Sequence, residues 1–310
     1  MSPRTKTATA ARRRTPSVLE ARAAQPLATS GANGAGRLGV RKTYKLYIGG
    51  AFPRTESGRA YEVFGAKGEL LANACRGTRK DIREAVRAAR KAFPGWAAKT
   101  AYNRSQVLYR IAELMEGRRD QFVAEVMASE GVSRLRATRS VDAAIDRWVW
   151  YAGWADKYSQ LIGTVNPVAG SYFNFSVPEP TGVVGVIAPE ESSLLGLVSR
   201  LAPVIVSGNA AVVISSQTRP LPAVTLSEVL ATSDVPGGVV NLLTGRRDEL
   251  APHLASHLDI DALDLPGGDA ELERAAADNV KRVVFSRPGQ SLYEISSFLE
   301  FKTVWHPMGQ

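Results

Sequence analysis

Glu190 and Glu191 stand side by side in a turn, Pro189-Glu190-Glu191-Ser192-Ser193, that follows the apolar run Val183-Val184-Gly185-Val186-Ile187. A run that is apolar at every position reads as a strand covered on both faces of a parallel sheet. The turn after such a strand is where α/β sheets hold ligands. Two adjacent carboxylates there repel an anionic ligand and oppose a developing oxyanion. Other residue types that could do chemistry are few. The only thiol, Cys75, has no nearby signature of activation and reads as a small core residue. A single cysteine excludes an intramolecular disulfide and a cysteine-based metal site. His253 and His257 have the i, i+4 spacing of a zinc-binding helix, but no acidic third ligand is evident, so surface or capping roles are expected. The aromatic cluster Trp148, Trp150, Tyr151 and Trp154 could line a ligand; packing is the expectation.

The elements that must position these residues fall into blocks. Residues 43–75 read as short strands, with a hairpin signal at Gly49-Gly50 and a second turn near Gly65–Gly68. Three helices follow. The first is capped by Thr78 or Asp81 and repeats Ile82, Ala85, Val86, Ala89 and Phe93 on one face. The second runs from Asn103 to a stop at Gly131, and the third carries the aromatic cluster. The stretch 171–178 alternates Tyr172, Asn174 and Ser176 with Phe173, Phe175 and Val177, as a strand does, and two prolines follow. Strands at 183–187, 210–215, 239–243, 260–265 and 281–285 then alternate with helices at 195–205, 222–232, 247–256 and 269–278. That alternation predicts an α/β fold with a doubly wound parallel sheet. A short helix and a strand at 302–305, with Val304 and Trp305, close the chain. The predicted organisation is a tail over 1–42, a ribbon and helices over 43–170, a strand over 171–181, βα units over 182–290 and a C-terminal helix and strand over 291–310.

The net charge of +9 is unevenly spread. Residues 1–42 hold nine Lys/Arg and one acid, Glu20, so the remainder of the chain is nearly neutral. The tail is rich in Ala, Thr, Ser, Gly, Pro and Arg, lacks an apolar period, and is expected to be disordered. It reads as a solubilising extension. A docking or nucleic-acid-binding arm through Arg12-Arg13-Arg14 and an organellar transit segment are the alternatives. No secretory apolar core and no run long enough to span a bilayer is present, so the expected location is the cytoplasm and no membrane partner is expected.

Taken in order, "YIGGAF", "AVRAARKAFPGWA", "NRSQVLYRIAELME", "WYAGWADK", "PTGVVGVIAPE", "LAPVIVSGNAAVV", "DVPGGVVNLLTG" and "AADNVKRVVF" resemble the aldehyde dehydrogenase superfamily over about residues 44–290. The resemblance implies a Rossmann-like cofactor-type domain with N-terminal helices and a small β oligomerisation element formed by the strands at 171–178 and 302–305. It also implies five chemical requirements. The family's thiolate sits on a catalytic domain that follows the position of Arg287-Pro288-Gly289-Gln290. Here the chain passes straight to the C-terminal element, so a truncated form without that domain is expected. The family's oxyanion-stabilising amide falls at Glu190-Glu191, and its glutamate base at Ser286, which cannot act as that base at neutral pH. Its ribose-binding lysine matches Ser215. Its phosphate-binding turn matches Gly267-Gly268, whose N–H groups could face an anion, with Asp269 competing for the same donors. Its second glycine motif keeps only Gly245, followed by Arg246-Arg247. Ser215, Gly245, Gly267 and Gly268 are thus the degenerate cofactor-binding positions.

An intact apolar scaffold around an altered site implies a protein kept for its shape. The leading reading is a non-catalytic subunit, inactive as an isolated chain, that assembles with a full-length NAD(P)-dependent aldehyde dehydrogenase or with itself. No cofactor is expected, and any NAD(P) binding is weakened. The alternatives are a dinucleotide-binding protein with a residual oxidoreductase role, which Gly245 and Gly267-Gly268 support, and an adaptor acting through the basic tail. No basic patch is visible in the body, which disfavours nucleic acid as a partner.

Overall fold

A computed structural model describes residues 41–309. The basic tail, Arg12-Arg13-Arg14 included, lies outside the described residues. The chain begins with β1 (Thr43–Tyr44), β2 (Ala60–Phe64) and β3 (Leu70–Cys75) in one small sheet, β1 parallel and β2 antiparallel to β3. Between β1 and β2 the predicted hairpin is present. Ile48 and Ala51 exchange backbone hydrogen bonds around Gly49 and Gly50, both at positive φ (64° and 83°), where a Cβ is disfavoured.

Helix α1 (Arg79–Ala97) starts in a capping box: Asp81 accepts from the Thr78 N–H at 2.8 Å. Its apolar face, Ile82, Ala85, Val86 and Ala89, is buried. The stretch predicted as one helix ending at Gly131 forms two, α2 (Ala101–Gly117) and α3 (Arg119–Glu130). Arg118 leaves helical geometry (φ −115°, ψ 16°), and its guanidinium reaches Glu228 at 2.6 Å, a tertiary contact that fixes the break. Gly131 ends α3 at φ 69°, as expected. In α4 (Arg134–Trp154), Trp148 and Tyr151 are fully buried in the core, and Trp150 and Trp154 pack on it. The aromatic cluster is therefore packing.

After α5 (Tyr158–Ile162) come β4 (Thr164–Asn166) and β5 (Tyr172–Pro180). Then β6 (Val183–Ile187), α6 (Leu195–Val206), β7 (Ala210–Ile214), α7 (Leu221–Leu230), β8 (Val240–Leu243), α8 (Arg247–Ala255), β9 (Ala262–Asp264), α9 (Ala270–Ala277) and β10 (Arg282–Val284) build the predicted βα units. The five strands are parallel, in the order β10-β9-β6-β7-β8. Side chains alternate along β6: Val184 and Val186 join a core with α2, α4, α6 and α7, while Val183 and Ile187 join one with α1, α8 and α9. Each large apolar side chain buried this way contributes about 1.5–3 kcal/mol. Strand order reverses at β6, so a topological switch point lies at the carboxyl ends of β6 and β9.

Helix α10 (Leu292–Ser296) precedes β11 (Leu299–Pro307), which pairs antiparallel with β5 along its whole length and is longer than the predicted 302–305. β4 completes this third sheet, in the order β11-β5-β4. β5 continues through both prolines because Pro178 and Pro180 lie beyond the part paired with β4, where the strand has a single neighbour. The register puts Trp305 opposite Asn174 and Val304 opposite Phe175, so these two neighbours lie on opposite faces. No helix among the described residues is long and apolar enough to cross a membrane.

Candidate functional site

The carboxyl ends of the parallel strands gather most of the predicted positions. Glu190, in the turn after β6, does not face open space. Its carboxylate accepts from Ser216 Oγ (2.6 Å), Gln217 N (2.7 Å), Thr218 N (3.2 Å) and Thr218 Oγ1 (2.8 Å), all in the loop between β7 and α7. Burial disfavours its charge, yet these donors outweigh burial and hold the carboxyl below its usual range. Arg219 clamps the turn by donating to the carbonyls of Glu190 and Glu191, both at 3.1 Å. Glu191 itself stays exposed. The two glutamates that sequence treats as a pair thus have separate roles.

Ser215, the expected ribose position, is buried at the end of β7, with its hydroxyl turned to the Ser216 carbonyl at 3.4 Å. Gly245, at φ 156°, is required by packing: a Cβ there would lie 2.8 Å from Leu250 and 3.1 Å from the Gly77 nitrogen. Gly267, at φ 99°, has nothing within 4 Å of a Cβ, so its backbone conformation alone calls for glycine. Beyond it, Asp269 caps α9 by accepting from Leu272 N at 3.2 Å, and Glu273 accepts from Asp269 N at 3.0 Å. At α8, the Arg247 N–H donates to Gln217 at 2.9 Å. The loop into α7 and the first turns of α8 and α9 therefore bind the chain's own side chains. A pyrophosphate at these positions would have to displace Glu190, Gln217, Asp269 or Glu273. The cleft of about 560 Å³ between α8 and α9 mixes Arg246 and Arg247 with Asp248, Asp269 and Glu271, so its charges largely cancel.

At the switch point itself lies a second crevice, of about 450 Å³, lined by α4, the turn after β6, α6, Pro266 and the segment Ser286–Gly289. Arg200, which lines it, belongs to a buried ion pair. Arg200 of α6 donates to Asp264 at 2.5 Å and to the carbonyls of Leu265 and Ser286 at 3.2 and 3.3 Å. The Ser286 N–H also donates to Asp264, at 3.2 Å. Burial pushes the Asp264 carboxyl up to about 6, against the pull of Arg200. Ser286, the expected place of a general base, brings only a hydroxyl to the crevice, and its Oγ has no hydrogen-bond partner among the described residues. On the crevice wall, Arg147 of α4 donates to Ser199 Oγ.

Sequence reasoning missed Arg147, Arg200 and Asp264. The charged residues at 147 and 200 inside amphipathic helices were the available signal, but spacing does not reveal which cavity they meet. Cys75 ends β3 in the core formed with α1 and α8 and takes no part in the crevice. His257 lies beyond α8, where its Nδ1 accepts from Asp259 N at 3.2 Å. No group of three or more metal-ligating side chains occurs among the described residues.

The sequence model of the aldehyde dehydrogenase family matches residues 54–304. Retinal dehydrogenase 2 of Homo sapiens is 34% identical over 261 residues, which cover 81% of this chain and 49% of the relative. Aldehyde dehydrogenase 1A1 of Gallus gallus is 32% identical over 261 residues, covering 81% and 50%. Among solved structures, the NAD-dependent aldehyde dehydrogenase of Sinorhizobium meliloti superposes with a TM-score of 0.75 at 26% identity, over 79% of this chain and 50% of the other. An NAD+ complex of the Bacillus cereus enzyme gives 0.74 at 28% identity, over 78% and 50%. The chain spans about half the length of the curated relatives it matches.

Proposed function

Because the chain belongs to the aldehyde dehydrogenase family, we propose that it is a non-catalytic subunit that assembles with a full-length aldehyde dehydrogenase, or with itself, in the cytoplasm. The observation that carries this reading is the self-closure of the strand-end loops around an intact sheet. Glu190 fills the donors after β7, and Gln217, Asp269 and Glu273 fill those of α8 and α9. Ser286 offers no carboxylate for general-base work, and Cys75 is buried away from the crevice. Dinucleotide binding is accordingly weak in this proposal.

The third sheet supports the assembly half of the reading. Tyr172, Phe173, Phe301, Val304 and Trp305 are all exposed, and among the described residues β11 leaves one edge of the sheet unpaired. Exposed edges and apolar faces of this kind call for cover. Co-purification at native expression, followed by mass spectrometry, tests the proposal. A full-length aldehyde dehydrogenase, or a second copy of the chain, is expected in the complex. The purified chain is expected to form no NAD(P)H from short or long aldehydes. A monomer that ignores every aldehyde dehydrogenase of its organism, or turnover that survives Cys75→Ser, would overturn it. The alternative of a dinucleotide-binding protein draws on Arg246 and Arg247 in the α8–α9 cleft. Micromolar NAD+ affinity would favour it.

A further inference from the structure

A small basic cavity lies where the early ribbon meets α8. It measures about 180 Å³ and is lined by Arg59, Arg76, Arg79 and His253, with Glu249 as its one carboxylate. Glu249 and His253, one turn apart, face this cavity, whereas Arg247, Asp248, Ala251 and Pro252 line the separate cleft between α8 and α9. The carboxylate is already engaged. Arg76 donates to both of its oxygens, through Nε at 2.9 Å and through Nη2, a fork-to-fork pair. Arg76 first, then the fields of Arg246 and Arg59, hold the Glu249 carboxyl below its usual range. Arg59 and Arg79 are exposed and have no ion-pair partner among the described residues. Arg76 uses two of its five N–H donors on Glu249 and keeps the others. His257, which sequence spacing joins to His253, does not line the cavity and accepts from Asp259 N instead.

We propose that this cavity binds a phosphate group, carried by inorganic phosphate or by a small phosphate monoester. The three guanidiniums come from separate points of the chain: Arg59 precedes β2, Arg76 follows β3 and Arg79 opens α1. The fold, and no run of basic sequence, gathers them around one carboxylate that Arg76 already neutralises. Guanidiniums recognise phosphate through paired N–H donors, and His253 adds a ring nitrogen to the same wall. The volume falls below the range of about 300–1,000 Å³ usual for drug-sized ligands, which restricts the occupant to a small group. A dianion is favoured over a monoanion because the attraction grows with charge. The site goes beyond the subunit reading and depends on neither assembly nor turnover.

Calorimetric titration of the full chain with inorganic phosphate, glycerol 3-phosphate and acetate, at one fixed ionic strength, tests it. Phosphate and glycerol 3-phosphate are expected to saturate one site, with acetate at least about tenfold weaker. The tighter of the two phosphates identifies the source, the free ion or the monoester, and either supports the site. Arg59→Met and Arg79→Met alter exposed side chains outside the Arg76–Glu249 pair, so both variants should melt as the unaltered chain does. Each should weaken phosphate binding about tenfold through loss of a charge-assisted contact. The combined change Arg12→Gln, Arg13→Gln and Arg14→Gln should leave it as it was, and NAD+ should not displace phosphate. Acetate binding as tightly as phosphate, or no saturation by either phosphate, would overturn the proposal on the unaltered chain alone. So would undiminished affinity in both Arg59→Met and Arg79→Met, loss of binding on the tail substitutions, or displacement by NAD+, which would move the anion to the α8–α9 cleft.

Discussion

The Glu190 carboxylate accepts both the amide N–H and the hydroxyl of Thr218, at 3.2 and 2.8 Å, so a side chain after β6 closes the loop after β7. Two strand-end loops are thereby locked together across the sheet. Glu190→Ala leaves the Ser216, Gln217 and Thr218 donors without their acceptor. The expected loss is about 1–3 kcal/mol, read from urea denaturation at neutral pH. A loss below a few tenths of a kcal/mol would mean that water replaces the carboxylate freely.

The same contact predicts a pH dependence. The folded pKa of Glu190 lies below its ordinary value of 4.5. Its contribution is therefore fully present above 4.5 and is lost as pH falls through the folded pKa. The stability gap between the unaltered chain and Glu190→Gln should be steady from pH 7 to 5 and shrink in more acidic solution. A gap that widens on acidification would contradict the ionised state assigned to Glu190.

Asp264 predicts the opposite trend. Its carboxyl is raised from 3.8 to about 6 in the folded chain. Its effect on stability is most favourable below 3.8 and is lost as pH rises through about 6. Arg200→Met should cost about 3–5 kcal/mol at pH 7, because it strands a buried carboxylate, and less at pH 5, where that carboxyl is protonated. The double substitution Arg200→Met with Asp264→Leu should recover most of the loss. Denaturation of the unaltered chain and the two variants at both pH values checks this.

For the α9 turn, calorimetric titration with NAD+ should give a dissociation constant near the millimolar range, roughly −4 kcal/mol. Asp269→Ser retains a capping oxygen but removes a charge, and should tighten binding about two- to fivefold. Unchanged affinity would show that this carboxylate does not oppose the dinucleotide.

Removal of residues 300–310 should release the chain from its complex or aggregate it. The truncation takes away nearly all of β11 and the edge-to-face contact of Trp305 with Tyr172, whose ring centroids lie 5.8 Å apart. Deletion of residues 1–38 should leave assembly intact, because that segment has no apolar period to pack. Sedimentation of the three chains decides between these outcomes.

The five parallel strands were legible because short runs rich in apolar residues alternate with helical periods, with β6 and β7 free of polar side chains. The capping box at Thr78 and Asp81 and the stop at Gly131 were legible because local chemistry sets them. The break at Arg118 was not, since Glu228 supplies it from α7. β4 is three residues long and rests on Asn166 reaching Asn174 and Ser176, a pairing with no periodic signal. At the site, the glycines and Glu190-Glu191 stood out by type. Their meaning did not, because the partners are distant: Glu190 answers to Ser216–Thr218, and Arg147 meets Ser199 from another helix.

The hairpin at Gly49-Gly50 has a kinetic consequence. Tyr47 and Leu242 exchange backbone hydrogen bonds at 2.9 and 2.7 Å, and Gly49 N donates to Asn241 across a separation of 192 residues. The early ribbon thus seals the outer edge of β8. During synthesis, the seal leaves the ribosome long before the edge it will cover. Closing so large a loop is slow compared with local pairing. Until it happens, the nascent chain carries an unsealed β8 edge whenever the sheet forms first, and that interval is when a chaperone or a sister chain has access to it.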